Sequence, residues 1–328
     1  MTGAALSVED LAVGVERPSG GFRAVDGISF EVAPGAALGI VGESGSGKSL
    51  TLRALMALVP AGVRIESGRV TLGGRELPLQ GGEARRSRRG RMALVFQDPL
   101  SALNPVHTVG AQVAEVPQRV LGLSRRRAWE RAIELFRLVG IPDPARRARA
   151  FPHQLSGGMR QRVVIAIALA SEPAVLLCDE PTTALDVTVQ AQVLDLIDGL
   201  RTQLQLTVVF VSHDLAVVRQ LCDDIAVMYT GRIVETGPTM PVLERPRHPY
   251  TLGLLNALVD LGRPAGTLRP IPGALPDPEA LPSGCPFHPR CPFATPECLR
   301  VRPPLYEIDD AGSHRASACL HHDRLAAA

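Results

Sequence analysis

Apolar residues in this chain come in short runs broken by glycine, proline and charge. Ala24–Phe30 and Ala37–Val41 read as strands, and the second runs straight into Gly42. Leu50–Leu58 carries a helical pattern, and Arg69–Leu72 and Arg91–Phe96 read as further short strands. From Thr108 to Ala150 the period changes to that of a helix, with Ile133, Phe136 and Val139 on one face of Trp129–Val139. After Gly157 a helix is expected to run to Ala170. Strand Val175–Cys178, helix Val187–Leu204, strand Thr207–Val211, helix Leu215–Leu221 and strand Ile225–Met228 follow in turn. Gly231-Arg232 makes a turn into a last strand, Ile233–Glu235. Strands alternating with helices predict an α/β fold built on a mostly parallel sheet.

Beyond Arg245 the punctuation becomes dense, with prolines from Pro246 to Pro292, and a short helix over Tyr250–Leu258 is the one regular element expected there. Two regions are therefore expected. Residues 1–245 form an α/β nucleotide domain with a helical subdomain at about 100–165, and residues 246–328 form an extension. The longest apolar run, Val163–Ala170, is too short to cross a bilayer, which takes about 18 residues or more. The N-terminus has no basic segment followed by an apolar one, so a cytoplasmic protein is expected, one that reaches a membrane by docking. Lys plus Arg is 35 against 33 for Asp plus Glu, which gives no support to a nucleic-acid binder. Local arginine clusters, Arg85, Arg86, Arg88, Arg89 and Arg91 and then Arg125–Arg127, read as solvated faces.

Gly42-Glu43-Ser44-Gly45-Ser46-Gly47-Lys48-Ser49 fits G-x-x-x-x-G-K-[ST], between a strand and a helix. Glycines let N–H groups close on phosphate oxygens, and the following helix adds the positive end of its dipole. Lys48 suits the β- and γ-phosphates, and Ser49 suits Mg²⁺. Val175–Cys178 ends in Asp179-Glu180, a carboxylate for Mg²⁺ followed by one able to polarise water; the plainer reading is an acidic helix start before Pro181. Strand Thr207–Val211 leads to Ser212-His213, which puts an imidazole where a γ-phosphate would lie. Gln97 follows another strand and could sense Mg²⁺ or the attacking water. Ser156-Gly157-Gly158 at a helix start is a second anion site or a simple N-cap.

Taken together, Gly42–Ser49, Gln97, Leu155–Gln161, Asp179-Glu180, Ala184-Leu185-Asp186 and His213 resemble the nucleotide-binding subunit of ABC transporters over roughly residues 6–245. The resemblance implies an ABC-type core whose parallel sheet is joined by an antiparallel β part, and a head-to-tail dimer holding two ATP molecules. Residues from Gly42 to Leu50, with Gln97, Asp179, Glu180 and His213, would face Ser156, Gly157, Gly158 and Gln161 of the other subunit, and Asp186 would connect the two sites. Glu180, His213 and Gln97 would be catalytic; Ser49, Gln97 and Asp179 would hold Mg²⁺. Phe22 is carried over as the ring stacked on adenine.

Three further segments narrow the resemblance to the ATPases of dipeptide and oligopeptide importers, with nickel importers as near relatives. They are Phe96–Pro105, Arg247-His248-Pro249-Tyr250-Thr251 and Gly284–Pro292. That branch implies peptide import at the cytoplasmic face of the cell membrane, with a second, different ATPase subunit, two permeases and an extracytoplasmic binding protein. The competing reading is a soluble ABC ATPase acting on nucleic acid. Cys178 and Cys222 sit in apolar runs and read as core. Cys285, Cys291, Cys298 and Cys319 are spaced C-x5-C-x6-C-x20-C. Four thiolates suit a [4Fe–4S] cluster or Zn²⁺; the branch is associated with the cluster, and the absence of a C-x2-C pair disfavours an ordinary zinc ribbon. His288, His314, His321 and His322 nearby leave mixed ligation open, and a site without metal is the remaining alternative.

Overall fold

A computed structural model of the chain describes residues 4–18, 20–183, 185–257, 271–308 and 314–323. Ala184 and Leu258, both in segments read above, lie outside the described residues. Twelve strands are described: β1 (Leu6–Val15), β2 (Phe22–Val32), β3 (Ala37–Val41), β4 (Val63–Leu72), β5 (Arg75–Leu77), β6 (Met92–Val95), β7 (Val175–Asp179), β8 (Thr207–Ser212), β9 (Asp224–Tyr229), β10 (Arg232–Pro238), β11 (Tyr306–Ile308) and β12 (Arg315–Ser317). They form two sheets. One is antiparallel, in the order β2-β1-β4-β5; the other has eight strands, in the order β11-β12-β10-β9-β3-β8-β7-β6. Within the larger sheet β9, β3, β8, β7 and β6 pair in parallel.

The parallel strands β3, β7 and β8 are buried along their whole length. Such strands are covered on both faces, which is why they read as unbroken apolar runs. Their alternation sorts side chains between two cores. Val175 and Leu177 of β7 and Val209 and Val211 of β8 pack toward the antiparallel sheet, with Leu52, Leu55, Val8 and Leu11. Leu176, Cys178, Val208 and Phe210 pack on the other side, with Phe136, Val163 and Ile197. Helices Val109–Val120, Arg125–Leu138 and Gly157–Leu169 meet one another there and form the inserted helical part.

Several elements differ from the sequence reading. β1 is a ten-residue strand with no counterpart in the predicted pattern. Its register shifts between Val8 and Leu11 and again to Val13 break the two-residue alternation that marks a strand. The predicted strand at Arg69–Leu72 is the end of the longer β4. Arg88 is not on a solvated face: it is buried, and its guanidinium donates to the carbonyls of Leu55, Pro78 and Ala84. The helix of the extension runs Pro249–Asn256.

The extension shares the core's sheet. β12 pairs with β10, and β11 pairs with β12, so two short strands from beyond residue 300 lengthen the large sheet at its antiparallel end. The seam is ionic and dry. Glu235 on β10 and Arg315 on β12 pair at 2.8 Å with both side chains at 0% exposure. Glu235 also accepts the N–H groups of Arg247 and His248, at 2.7 and 3.0 Å. Removing one partner of a buried pair strands the other charge without water. Arg315→Met should therefore lower the unfolding free energy by about 3–5 kcal/mol in a denaturant titration of the full chain.

Candidate functional site

The C-terminal ends of the parallel strands share one edge of the sheet, and the motif residues collect there. β3 delivers Gly42. This residue has φ +153°, and a Cβ on it would lie 2.1 Å from the Met228 carbonyl oxygen of β9. Gly47, with φ +102°, has the Ala24 carbonyl of β2 2.5 Å from where its Cβ would be. Both sheets therefore press on the loop, and only glycine fits at these two points. Gly47 also precedes the helix Lys48–Leu55, so the loop opens onto a helix N-terminus.

Lys48 folds back into the loop. Its Nζ donates to the Gly42 and Glu43 carbonyls at 2.7 and 2.9 Å. Burial pulls this ammonium below the ordinary lysine range, while Glu180, Asp179 and Glu43 act in the opposite direction. Ser49 Oγ donates to Asp179 Oδ1 at 2.7 Å. Burial pushes the Asp179 carboxyl above the ordinary carboxylate range, opposed by that hydrogen bond. Two oxygen ligands of the kind a hard cation takes thus stand side by side, bridged by a proton.

Glu180 gathers the next group. Its Oε2 accepts from Gln97 Nε2 at 3.3 Å and from Thr183 Oγ1 at 2.9 Å, and lies 2.9 Å from His213 Nδ1. Glu180 has φ +45°, a left-handed conformation uncommon outside glycine. Its N–H donates to the Val211 carbonyl at 3.1 Å, which ties the turn to β8. Gln97, Glu180 and His213, three residues far apart in the chain, therefore meet at one carboxylate oxygen. Thr183 was not anticipated; its signal lay in being three residues past Glu180 in a turn.

Elsewhere the placement is more mixed. Ser156 caps the helix Gly157–Leu169 by accepting the Met159 N–H at 3.3 Å, and Ser156 and Gly157 are exposed. A Cβ on Gly158 would come within 2.5 Å of Val189 Cγ1, so close packing of two helices requires that glycine. Gln161 is 1% exposed with neither amide atom bonded, unlike the exposed residues before it. Asp186 caps the helix Val187–Leu204 through the Val189 N–H at 3.0 Å. Phe22 opens β2, and the Arg17 guanidinium lies 5.2 Å from its ring centre.

The four late cysteines line one cavity of about 140 Å³, together with His248, Phe287 and His321. Burial raises the Cys285 thiol and pushes Cys291 up to about 11 and Cys319 up to about 12. Among the described residues, no three His, Cys, Asp or Glu side chains come together closely enough to hold a single metal ion. The four thiols line this cavity without converging on a point. Cys178 and Cys222 are buried in the core. Among the described residues no helix is long and apolar enough to cross a membrane.

The profile of the ABC transporter family matches residues 25–183, and that of the oligopeptide/dipeptide transporter C-terminal region matches residues 234–298. The chain is similar to a peptide import ATP-binding protein of Brucella abortus (strain 2308), with 46% identity over 315 residues, covering 96% of this chain and 94% of that protein. It is also similar to the oligopeptide transport ATP-binding protein OppD of Mycobacterium tuberculosis, 49% identical over 320 residues, which span 96% of this chain and 51% of that one. Among solved structures, cbiO1 from Clostridium perfringens, part of the ABC transporter complex cbiONQ, superposes with a TM-score of 0.63 at 26% identity, covering 74% of this chain and 91% of that one. An ATP-binding cassette dimer in a post-hydrolysis state with ADP and Pi gives 0.63 at 27% identity, covering 71% and 98%.

The loop geometry is open to a direct check. Gly42→Ala should cost at least about 1–3 kcal/mol in a denaturant melt, since its methyl would meet the Met228 carbonyl and its φ would stay strained.

Proposed function

The chain belongs to the ATP-binding subunits of ABC transporters, and we propose that it hydrolyses ATP to drive import of di- or oligopeptides through membrane permeases. ATP and Mg²⁺ are the working ligands of this family. The observation that carries the catalytic reading is the meeting of Gln97, Thr183 and His213 at Glu180 Oε2, beside the Ser49–Asp179 pair.

In this reading the Gly42–Ser49 backbone and the N-terminus of the helix behind it bind the phosphates, with Leu50 in the helix's first turn. Lys48 leaves its carbonyls for the phosphate oxygens, which replace two neutral acceptors with charged ones. Ser49 and Asp179, with Gln97, would hold Mg²⁺, which when bound neutralises charge on the phosphates. Glu180 accepts a proton from the water that attacks the γ-phosphorus. Gln97 and Thr183 keep its carboxylate aimed, and His213, half exposed, contacts the γ-phosphate. Phe22 lies under the adenine, with Arg17 over its other face. The Ser156-Gly157-Gly158 helix start, exposed at Ser156 and Gly157, covers the ATP of the neighbouring subunit, with Gln161 supporting it from inside the helix and Asp186 linking the sites.

The peptide reading rests on the relatives' names and on the C-terminal region that this chain shares with oligopeptide and dipeptide transporters. It carries with it a second, different ATPase subunit, two permeases, an extracytoplasmic binding protein and a place at the cytoplasmic face of the membrane. Cys285, Cys291, Cys298 and Cys319 would hold a [4Fe–4S] cluster, supplying cross-links to a segment with little core of its own.

Two measurements test this. Glu180→Gln should slow ATP turnover by about 10²-fold or more while Mg–ATP binding is retained; unchanged turnover would remove Glu180 from its role. Anaerobically purified full chain should be brown and contain iron, whereas a colourless, iron-free protein with stoichiometric zinc would sink the cluster.

A further inference from the structure

The phosphate loop is gripped from outside the nucleotide core. The Glu43 N–H donates to the Tyr250 hydroxyl at 2.8 Å. The Glu43 carboxylate receives both arms of the Arg290 guanidinium, Nη1 to Oε2 at 2.7 Å and Nη2 to Oε1 at 2.9 Å. Its carbonyl takes Lys48 Nζ. All three polar groups of the second loop residue are therefore occupied, two of them by residues of the C-terminal extension. Those residues are themselves fixed. The Arg290 side chain is 5% exposed, and its Nε donates to the Pro272 carbonyl at 2.9 Å. Its guanidinium lies 5.9 and 6.0 Å from the ring centres of Tyr229 and Phe287. The Tyr250 ring packs against both of those rings. A Cβ built on Gly45 would lie 3.6 Å from Leu275 Cδ2, also from the extension.

A loop rich in glycine loses much backbone freedom when it closes on phosphate, and that loss weakens binding. A forked guanidinium–carboxylate pair has a fixed geometry, and here its guanidinium is buried while the Glu43 carboxylate stays partly exposed. It also neutralises a carboxylate one residue from Gly42, where an uncompensated negative charge would repel the phosphates.

We propose that Tyr250 and Arg290 are positioning residues for the phosphate loop: they hold Glu43 so that the loop stays shaped for nucleotide without touching it. The inference rests on the reading of Gly42–Ser49 as the nucleotide cradle. Affinity of the full chain for the non-hydrolysable ATP analogue AMP-PNP with Mg²⁺, measured by calorimetry, tests it, with Lys48→Ala as the reference for the cradle itself. Arg290→Met should raise Kd about tenfold, because it leaves Glu43 charged and unpaired. Adding Glu43→Gln to that variant should recover about threefold or more, since the stranded charge is gone. Arg290→Lys, a point charge without the fork, should fall between wild type and Arg290→Met. Tyr250→Phe, which keeps the ring and loses only the acceptor, should raise Kd about threefold, and it decides the matter alone if Arg290→Met does not fold. Unchanged Kd in the folded clamp variants, with only the melting temperature lowered, would show that the pair merely docks the extension and would overturn the proposal. If Lys48→Ala also bound normally, the cradle reading would fall first.

Discussion

Parallel pairing of β3, β7 and β8 is the constraint from which the site follows. Strands that run the same way end at the same edge, and a crossover helix must return the chain each time. The edge therefore collects whatever residues follow each strand: Gly42 after β3, Glu180 after β7, His213 after β8. Full burial makes these strands rigid, and side chains can be held there without long loops. The register from Ala37↔Val208 to Val41↔Ser212 fixes how far Gly42 stands from His213, and that from Val175↔Thr207 to Asp179↔Val211 does the same for Glu180. Open α/β sheets bind ligands at the carboxyl ends of their strands for this reason.

That edge concentrates charge in a poorly hydrated place. Asp179 and Lys48 are almost wholly buried, and burial disfavours the ionised form of each. They remain tolerable because each has partners, Ser49 for the acid and two carbonyls for the amine. Neither partner carries an opposite full charge. The opposite charges of Asp179, Glu180 and Glu43 around Lys48, and of Lys48 and Arg53 around Asp179, offset part of that cost.

Legibility in the sequence followed from how tightly chemistry limits residue choice. The gathering of the Gly42–Ser49 loop, Asp179-Glu180, His213 and Gln97 was readable because each stands at or just past the end of an apolar strand. The buried strands β3, β7 and β8 were readable because burial on both faces writes an apolar run. β1 was not, since its bulges move the alternation out of phase. β11 and β12 were not, since three residues cannot carry a period. Arg88 looked like surface charge because composition cannot say that backbone carbonyls of Leu55, Pro78 and Ala84 wait for it. Arg290 and Tyr250 stood in segments that marked the peptide-importer branch, yet nothing in either segment says that it faces Glu43. A contact spanning more than two hundred residues exists only in the fold.

The extension solves a problem of its own composition. A segment so rich in proline has few backbone donors for a sheet and little apolar surface for a core. It is held by the pairing of β12 with β10, by Tyr250 and Phe287 in the main core, and by directional ion pairs: Arg315 with Glu235, Arg290 with Glu43, Arg302 with Asp26 at 3.0 Å, and Glu279 with Arg17 at 2.6 Å. Desolvation cancels much of the gain from a buried pair, so the Arg315–Glu235 pair adds less stability than its geometry suggests. What such pairs add is uniqueness, because a charge that must be buried has one acceptable partner and a greasy side chain has many. Glu235 lies on β10, Asp26 on β2 and Glu43 in the phosphate loop. Pairing with all three fixes the extension against both sheets and the loop at once, which an apolar patch of the same area would not do.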